Sequence, residues 1–402
     1  MAEFREWLDL SSPQVQRVQG EDAVSYTDKL FREVPLVVEM NQKWDQLWKE
    51  PFKGLTTDGS VIPDLYPVQD DNILIASIVQ AANSVVMALS EVEKDRCLRP
   101  LDAPERRAWS NPELYVHRFG VRLDEVNQEV FSAVRQLMKS TLSAEGYEKA
   151  CTAMRINGFL GRLVNGSKVL NENSYNILLF GQPSTVDPWG WSIYGHHLCL
   201  NVFLHKRQII ISPTFTGAEP TTIDSGPFQG SRLFEPEEQL GLRFMQRLPS
   251  QLQVKAQIYK EMHDPAMPAW RFNPADQRHI CGAFQDNRIV PYEGVCLTEL
   301  DPSFTDLLLQ IVRQFLLYLP QQAYENRRRQ ILKHSSETYF SWIGGFTDTD
   351  PFYYRIQSPV IVCEFDHHSG VFLSNSKPAK FHTHTIVRSP NAGDYGYTLI
   401  NS

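Results

Sequence analysis

The chain lacks most of the features that would place it quickly. Its six cysteines, Cys97, Cys151, Cys199, Cys281, Cys296 and Cys363, are scattered over 402 residues without a CxxC pair. Reduced, buried thiols are therefore expected, and no disulfide framework. The opening MAEFREWLDL carries charge from its first residues and has no apolar core of signal-peptide length. No later run is long enough and free enough of charge to span a bilayer. Net charge is −8, and the one tight basic cluster, Arg327 to Arg329, sits in a helical pattern. Nucleic acid and an anionic membrane surface are poor partners for such a chain. GxSxG, P-loop, Rossmann and HExxH patterns are missing, as are fixed-period repeats and low-complexity linkers. A cytoplasmic protein with a small-molecule substrate is the expectation that remains.

Hydrophobic residues make up 42% of the sequence, enough at this length for a substantial core. Residues 1–55 read as an arm with a helical prelude, and 56–402 as a single α+β domain. Asp70 and Asp71 stand where a helix would start, ahead of a wide apolar stripe from Ile75 through Ile78, Ala82, Val85 and Leu89. Helical patterns continue over 123–142 and 143–155, the second opened by a Ser-Ala-Glu-Gly start of N-cap type. Strand patterns follow at 173–180, 191–204 and 208–215, the last two joined as a hairpin at His205-Lys206-Arg207. Helices return at Glu235, near Gln251, and over 303–318 and 321–333, with a loop dense in Pro, Asn and Gly from 264 to 294. Strand patterns resume from Thr338. Two β regions separated by helices predict one antiparallel sheet or sandwich flanked by helices.

The stretch PVIVCEFDHHSGVFLSNSKPAKFHTHTIVR, Pro359 to Arg388, holds the densest potential chemistry. As a strand it puts Glu364 and Asp366 on one face, and a second strand does the same for His382 and His384. Folded back about Asn375, the two would form a long hairpin with Asp366 across from His382 and Glu364 across from His384. His367 and His368, at the loop entrance, are expected to be exposed. A second cluster is Gly195-His196-His197, where neighbouring side chains on a strand point to opposite faces, so one of the two histidines faces any given site. Two or three imidazoles with a carboxylate suit Zn²⁺ or Fe(II) better than Ca²⁺ or Mg²⁺. The competing reading is a hydrogen-bonded structural network.

Around these clusters, Glu219 is a candidate third-strand ligand or general base. Arg388, on the face of His382 and His384, is placed either to hold a substrate carboxylate or phosphate or to pair with Glu364 or Asp366. Trp191, Tyr354 and Arg355 are candidates for lining a substrate pocket, although core packing is the common fate of such aromatics.

The series TDGSVIPDLYP, PWGWSIYGHHLCLN, ISPTFTGAEP, AFQDN, SWIGG, FYYRIQSPVIVCEFDHH and HTHTIVRSPNAGDYG resembles the family known as domain of unknown function 3500, found in bacteria and fungi. The resemblance covers nearly everything from Thr56 onward and brings a pattern without an assigned activity. Carried over residue by residue, it implies importance for His196, His197, Asn201, Glu219, Glu364, Asp366, His382 and His384. Arg388-Ser389-Pro390 departs from the Arg-Asp-Pro form common after HxHT in that family, so no acidic residue is implied there.

The residues thus point first to a metal-dependent enzyme acting on a small organic molecule, by hydrolytic or lyase chemistry. His196 or His197 would join His382 and His384 as ligands, with Glu364 or Asp366 as ligand or general base. A metal-free cyclase or isomerase using the His/Glu/Asp cluster for proton transfer, and a non-catalytic binding or scaffolding protein, are the alternatives.

Overall fold

The computed structural model describes residues 3–400. Twelve strands form one open sheet: β1 (Leu98–Arg99), β2 (Val121–Arg122), β3 (Tyr175–Phe180), β4 (Trp189–Gly195), β5 (Leu198–His205), β6 (Gln208–Ala218), β7 (Gln257–Tyr259), β8 (Val295–Cys296), β9 (Tyr339–Gly344), β10 (Phe352–Gln357), β11 (Val362–His367) and β12 (Thr383–Arg388). Their order is β1-β3-β4-β5-β6-β12-β11-β10-β9-β7, with β2 on β3 and β8 on β9. The two β regions meet at the β6–β12 pair, as the α+β expectation requires. The sheet is mixed and not purely antiparallel, because β1 runs parallel to β3 and β7 parallel to β9. Both are short strands reached through helical connections, the kind of crossover that parallel pairing needs.

Local chemistry sets the helices. Ile75–Ala88 buries Ile78, Ala81, Ala82 and Val85 on one stripe. Asn127 caps Gln128–Thr141 by accepting from the N–H groups of Glu129 and Val130, and Ser143 caps Ala144–Leu163 by accepting from Gly146. Asp71 does not start the first of these, as its sequence position suggested. It is buried and accepts from the Ile209 N–H at 2.9 Å and the Asn326 amide at 2.7 Å, tying the segment to β6 and to the helix Gln321–Lys333. The amino-terminal residues are docked: Val15, Val18, Tyr26 and Leu30 pack with Leu160, Val164 and Val169. All six cysteines are buried and unpaired.

Residues opposite one another across an antiparallel pair share a face, which sorts the sheet into two sides. One side packs on the helices and carries an aromatic stack in which Tyr354 lies 5.1 Å from Phe365 and Phe340 4.3 Å from Phe244 of the helix Glu235–Arg247. Such pairs each contribute about 0.5–1.5 kcal/mol beyond the area they bury. The other side holds Phe215, Ile386 and Val362 and is covered by the irregular segment around Ile280, Cys281 and Phe284, together with Trp44 and Trp109. His384, Asp366 and Glu364 lie on this second side, under the loop.

Candidate metal centre

Three imidazoles from distant parts of the chain converge on that covered face. His384 Nε2 is 3.0 Å from His382 Nε2 and 3.1 Å from His197 Nε2. At 4%, 0% and 5% exposure for His197, His382 and His384, the group is shut away from water. The backbone carbonyl of Ser369, which can only accept, lies 2.7 Å from His382 Nδ1. That nitrogen therefore carries the proton, and His382 Nε2 presents a lone pair. A proton on His384 Nε2 serves one of its two nitrogen neighbours and leaves that atom no lone pair for the other, and without that proton its lone pair faces the bare lone pair of His382 Nε2. A cation at the meeting point satisfies all three. Nitrogens bound to one tetrahedral ion sit about 3.3 Å apart, close to the separations of His384 Nε2 from the other two, while the ligand atoms of all three histidines lie within 4.8 Å of one another.

The chain builds this meeting from unlike pieces. His196 and His197 do not lie along one strand: β4 ends at Gly195 and β5 begins at Leu198, so the pair forms a tight turn between antiparallel strands. His197 takes φ 65°, the left-handed region that histidine tolerates better than most residues. Its N–H donates to the Asn111 carbonyl, and its own carbonyl accepts from the Gly217 N–H at 2.8 Å. The two rings stack at 3.7 Å, and both therefore stand on the same side. His196 is held by Asn157 Oδ1 at 2.8 Å, while His197 reaches the other histidines. A Cβ at Gly217 would fall 2.7 Å from His197 Cδ2 and 2.8 Å from His384 Cδ2, so the absence of a side chain there makes room for both rings.

A family model described as a protein of unknown function (DUF3500) matches residues 71–397. The chain belongs to that family. Comparison with curated proteins and with solved structures gave no match.

The DUF3500 carboxylates take places other than those expected. β11 and β12 do pair antiparallel, but Asp366 stands opposite His384, and Glu364 opposite Ile386. The register differs by two residues, one full side-chain period, so the faces are unchanged while the partners move. Glu364 accepts from the N–H groups of Ile280 and Cys281, each at 2.8 Å, and from the Tyr353 hydroxyl at 2.6 Å. Burial pushes its pKa upward, but His279, Arg355 and these donors outweigh that and hold it below the ordinary value. Asp366 binds Arg278 Nε at 2.6 Å. Glu219 accepts from three successive N–H groups, those of Val371, Phe372 and Leu373, at 2.8–3.2 Å, and stays 3.8 Å from His382 Nδ1. Arg388 pairs with Asp394 at 2.7 Å and Asp286 at 2.5 Å, and not with Glu364 or Asp366. None of these groups shares the meeting point of the imidazoles.

The expected pocket residues divide between the two sides of the DUF3500 sheet. Tyr354 faces the helices and donates to the Glu237 carbonyl at 2.9 Å. Trp191 is buried in the same helix-side core. Asn201 donates to the Pro213 carbonyl, and Arg355 shares the histidine face.

His367 and His368, expected to be exposed at the loop entrance, are both buried, and His279, which no motif marked, lies with His368 on the covered face. His368 is 2% exposed, not open to solvent, and its ring centre is 3.8 Å from that of His384. Its Nε2 is 3.0 Å from Asp366 Oδ2, an ionic distance, but too far out of line for a hydrogen bond. His279 comes from the long loop and sits 6.2 Å from the His384 ring, with no hydrogen-bond partner for either nitrogen among the described residues. The apolar run Ile280-Cys281-Gly282-Ala283-Phe284 beside it was the available signal that this loop is a cover and not a solvated connection. Burial, reinforced by neighbouring imidazoles, holds His197, His368 and His384 well below the usual histidine pKa, and His196 at about 3. These rings are neutral at pH 7, the state in which imidazole binds metal.

Proposed function

We propose that the protein is a metal-dependent enzyme acting on a small organic molecule, with His197, His382 and His384 holding one Zn²⁺ or Fe²⁺ ion. The observation that carries this reading is the convergence of three imidazoles, with His384 Nε2 3.0 Å from His382 Nε2 and 3.1 Å from His197 Nε2 and His382 fixed as a lone-pair donor. Three imidazole ligands favour these ions over Ca²⁺ or Mg²⁺ and leave a coordination position open. When bound, such an ion lowers the pKa of water or polarises a carbonyl, which serves hydrolytic or lyase chemistry. The surrounding residues orient and hold protons. Ser369 fixes the His382 tautomer, Asn157 props His196 against His197, and His368, 3.0 Å from Asp366, packs its ring against His384. Glu364, Glu219 and Arg388 act through the backbone and loops they fasten. Six unpaired thiols fit a reducing compartment such as the cytoplasm.

Elemental analysis of protein purified without a histidine tag tests this. Close to one zinc or iron per chain is expected, with loss of that metal in His384→Ala and His382→Ala variants that keep the wild-type circular dichroism. Wild-type protein free of metal, or variants that retain it, would overturn the reading.

The depth of burial favours a second reading, in which the ion staples the β4–β5 turn to β12. Removing the metal then lowers the melting temperature, and no substrate turnover accompanies its return.

A further inference from the structure

On the same face of the sheet, two strands from β12, lies a group of buried donors with nothing to donate to. Arg271 spends one terminal nitrogen on the Arg278 carbonyl and stacks over Tyr353, its guanidinium carbon 4.8 Å from the ring centre. Its other edge, Nε with Nη2, has no partner among the described residues, and neither do Arg355 Nη1 and Ser341 Oγ. Ser341 and Arg355 are directly opposed on β9 and β10, so their side chains share a face. The side chains of Arg271 and Arg355 are 0% and 1% exposed. Buried guanidinium donors without partners are costly and rare, and they mark a water or an ion that belongs there.

The free edge of Arg271 has a definite shape. Nε and Nη2 form the parallel pair that grips two oxygens of one acceptor. Elsewhere in this chain the same pair is filled by a carboxylate: Arg5 holds Asp224 at 2.9 and 2.7 Å, and Arg122 holds Asp124 at 2.8 and 2.7 Å. At Arg271 the nearest carboxylate, Glu293, stays 3.8 Å from Nε because it is engaged with Arg355 Nη2 at 2.9 Å. Glu364 and Asp366, the other anions of this face, are saturated by the partners described above. Glu293 itself is 19% exposed, against 1% for Arg355.

We propose that Arg271, Arg355 and Ser341 form a binding site for a small oxyanion, a carboxylate or a phosphate or sulfate group, gripped by the side edge of Arg271 and completed by Arg355 Nη1 and the Ser341 hydroxyl. β10 is two strands from β12, about 10 Å, so the site is distinct from the histidine centre. Glu293 competes with the ligand for the same two guanidiniums and tunes its affinity.

Titration calorimetry on the full-length protein as purified, with sodium phosphate, sulfate and acetate at ionic strength held constant with chloride, tests the assignment. At least one oxyanion gives saturable binding. Arg271→Lys, which keeps the charge and loses the paired donors, weakens it about tenfold or more, and Ser341→Ala weakens it several-fold. Glu293→Gln tightens it about tenfold by removing the competing charge. Binding of phosphate and sulfate alone assigns a tetrahedral ligand, and of acetate alone a carboxylate. If Arg271→Lys does not fold, Ser341→Ala and Glu293→Gln decide, since neither breaks a hydrogen bond that a core element depends on. Anion binding at the histidine centre would survive all three substitutions. No saturable binding to wild type or Glu293→Gln, or binding indifferent to the substitutions, would overturn the proposal and leave water on these donors.

Discussion

Gly217 and His384 are register partners on β6 and β12, and the imidazole of His384 lies across the glycine where a Cβ would stand. His197 crosses the same spot from the other side. Gly217→Ala must therefore push both rings from their meeting point while leaving the strand, whose φ is ordinary there, able to form. A loss of metal affinity of about 10–100-fold, the order of effect expected when a supporting residue of a metal site is changed, should appear at unchanged circular dichroism. Competition with a graded series of chelators measures it.

Glu364 is expected to behave as a structural residue. Glu364→Gln turns an acceptor of two backbone N–H groups and one hydroxyl into a group that presents its own N–H₂ to them. A stability loss of about 3 kcal/mol by urea denaturation follows from leaving buried donors unmatched, with metal content unchanged. Metal lost at wild-type stability would return Glu364 to the centre.

Much of this arrangement could be read in the sequence, and the failures have physical causes. The period-two runs at 362–367 and 383–388 gave the strands and the shared face of Glu364, Asp366 and His384, because that periodicity is set by the pleat alone. Register is set by the loop between the strands, and the loop from His368 to His382 folds on Glu219, far away in sequence. The pairs therefore came out two residues apart from expectation. The His196-His197 turn was invisible because no Asn-Gly or Gly-Gly marks it, and a histidine carries the positive φ. His279 and Arg278 were hidden by composition: a segment dense in turn formers reads as solvated loop, whereas here it buries Arg278, His279, Ile280 and Cys281 against the sheet.

Asp276 should make stability fall as pH rises from 3.8 to about 7. Burial first, and the charge of Glu364 second, raise its pKa from 3.8 to about 7. A carboxyl raised in the folded state contributes stability that is complete below its unfolded value and is lost as pH rises through about 7. Asp276→Asn is expected to be more stable than wild type at pH 8, with the difference closing at lower pH, as read by urea midpoints. An equal difference at both ends would contradict this.

In acid the sign reverses for His117, which packs among Trp48, Phe119 and Phe284. Burial lowers its pKa from 6.5 to about 4. Below pH 6.5 the unfolded chain takes up a proton that the folded chain refuses, so stability falls as pH drops toward 4. His117→Phe, which keeps an aromatic ring in an aromatic cage, should flatten that part of the pH–stability curve. A slope equal to that of the wild type would show that the ring is not buried neutral.

The most direct test of the metal centre is anomalous diffraction from crystals of the untagged protein, recorded on both sides of the zinc and iron absorption edges. One strong peak is expected within coordinating distance of the Nε2 atoms of His197, His382 and His384, about 2.1 Å from each. Electron density that shows the three rings in place with no anomalous peak between them would contradict the account.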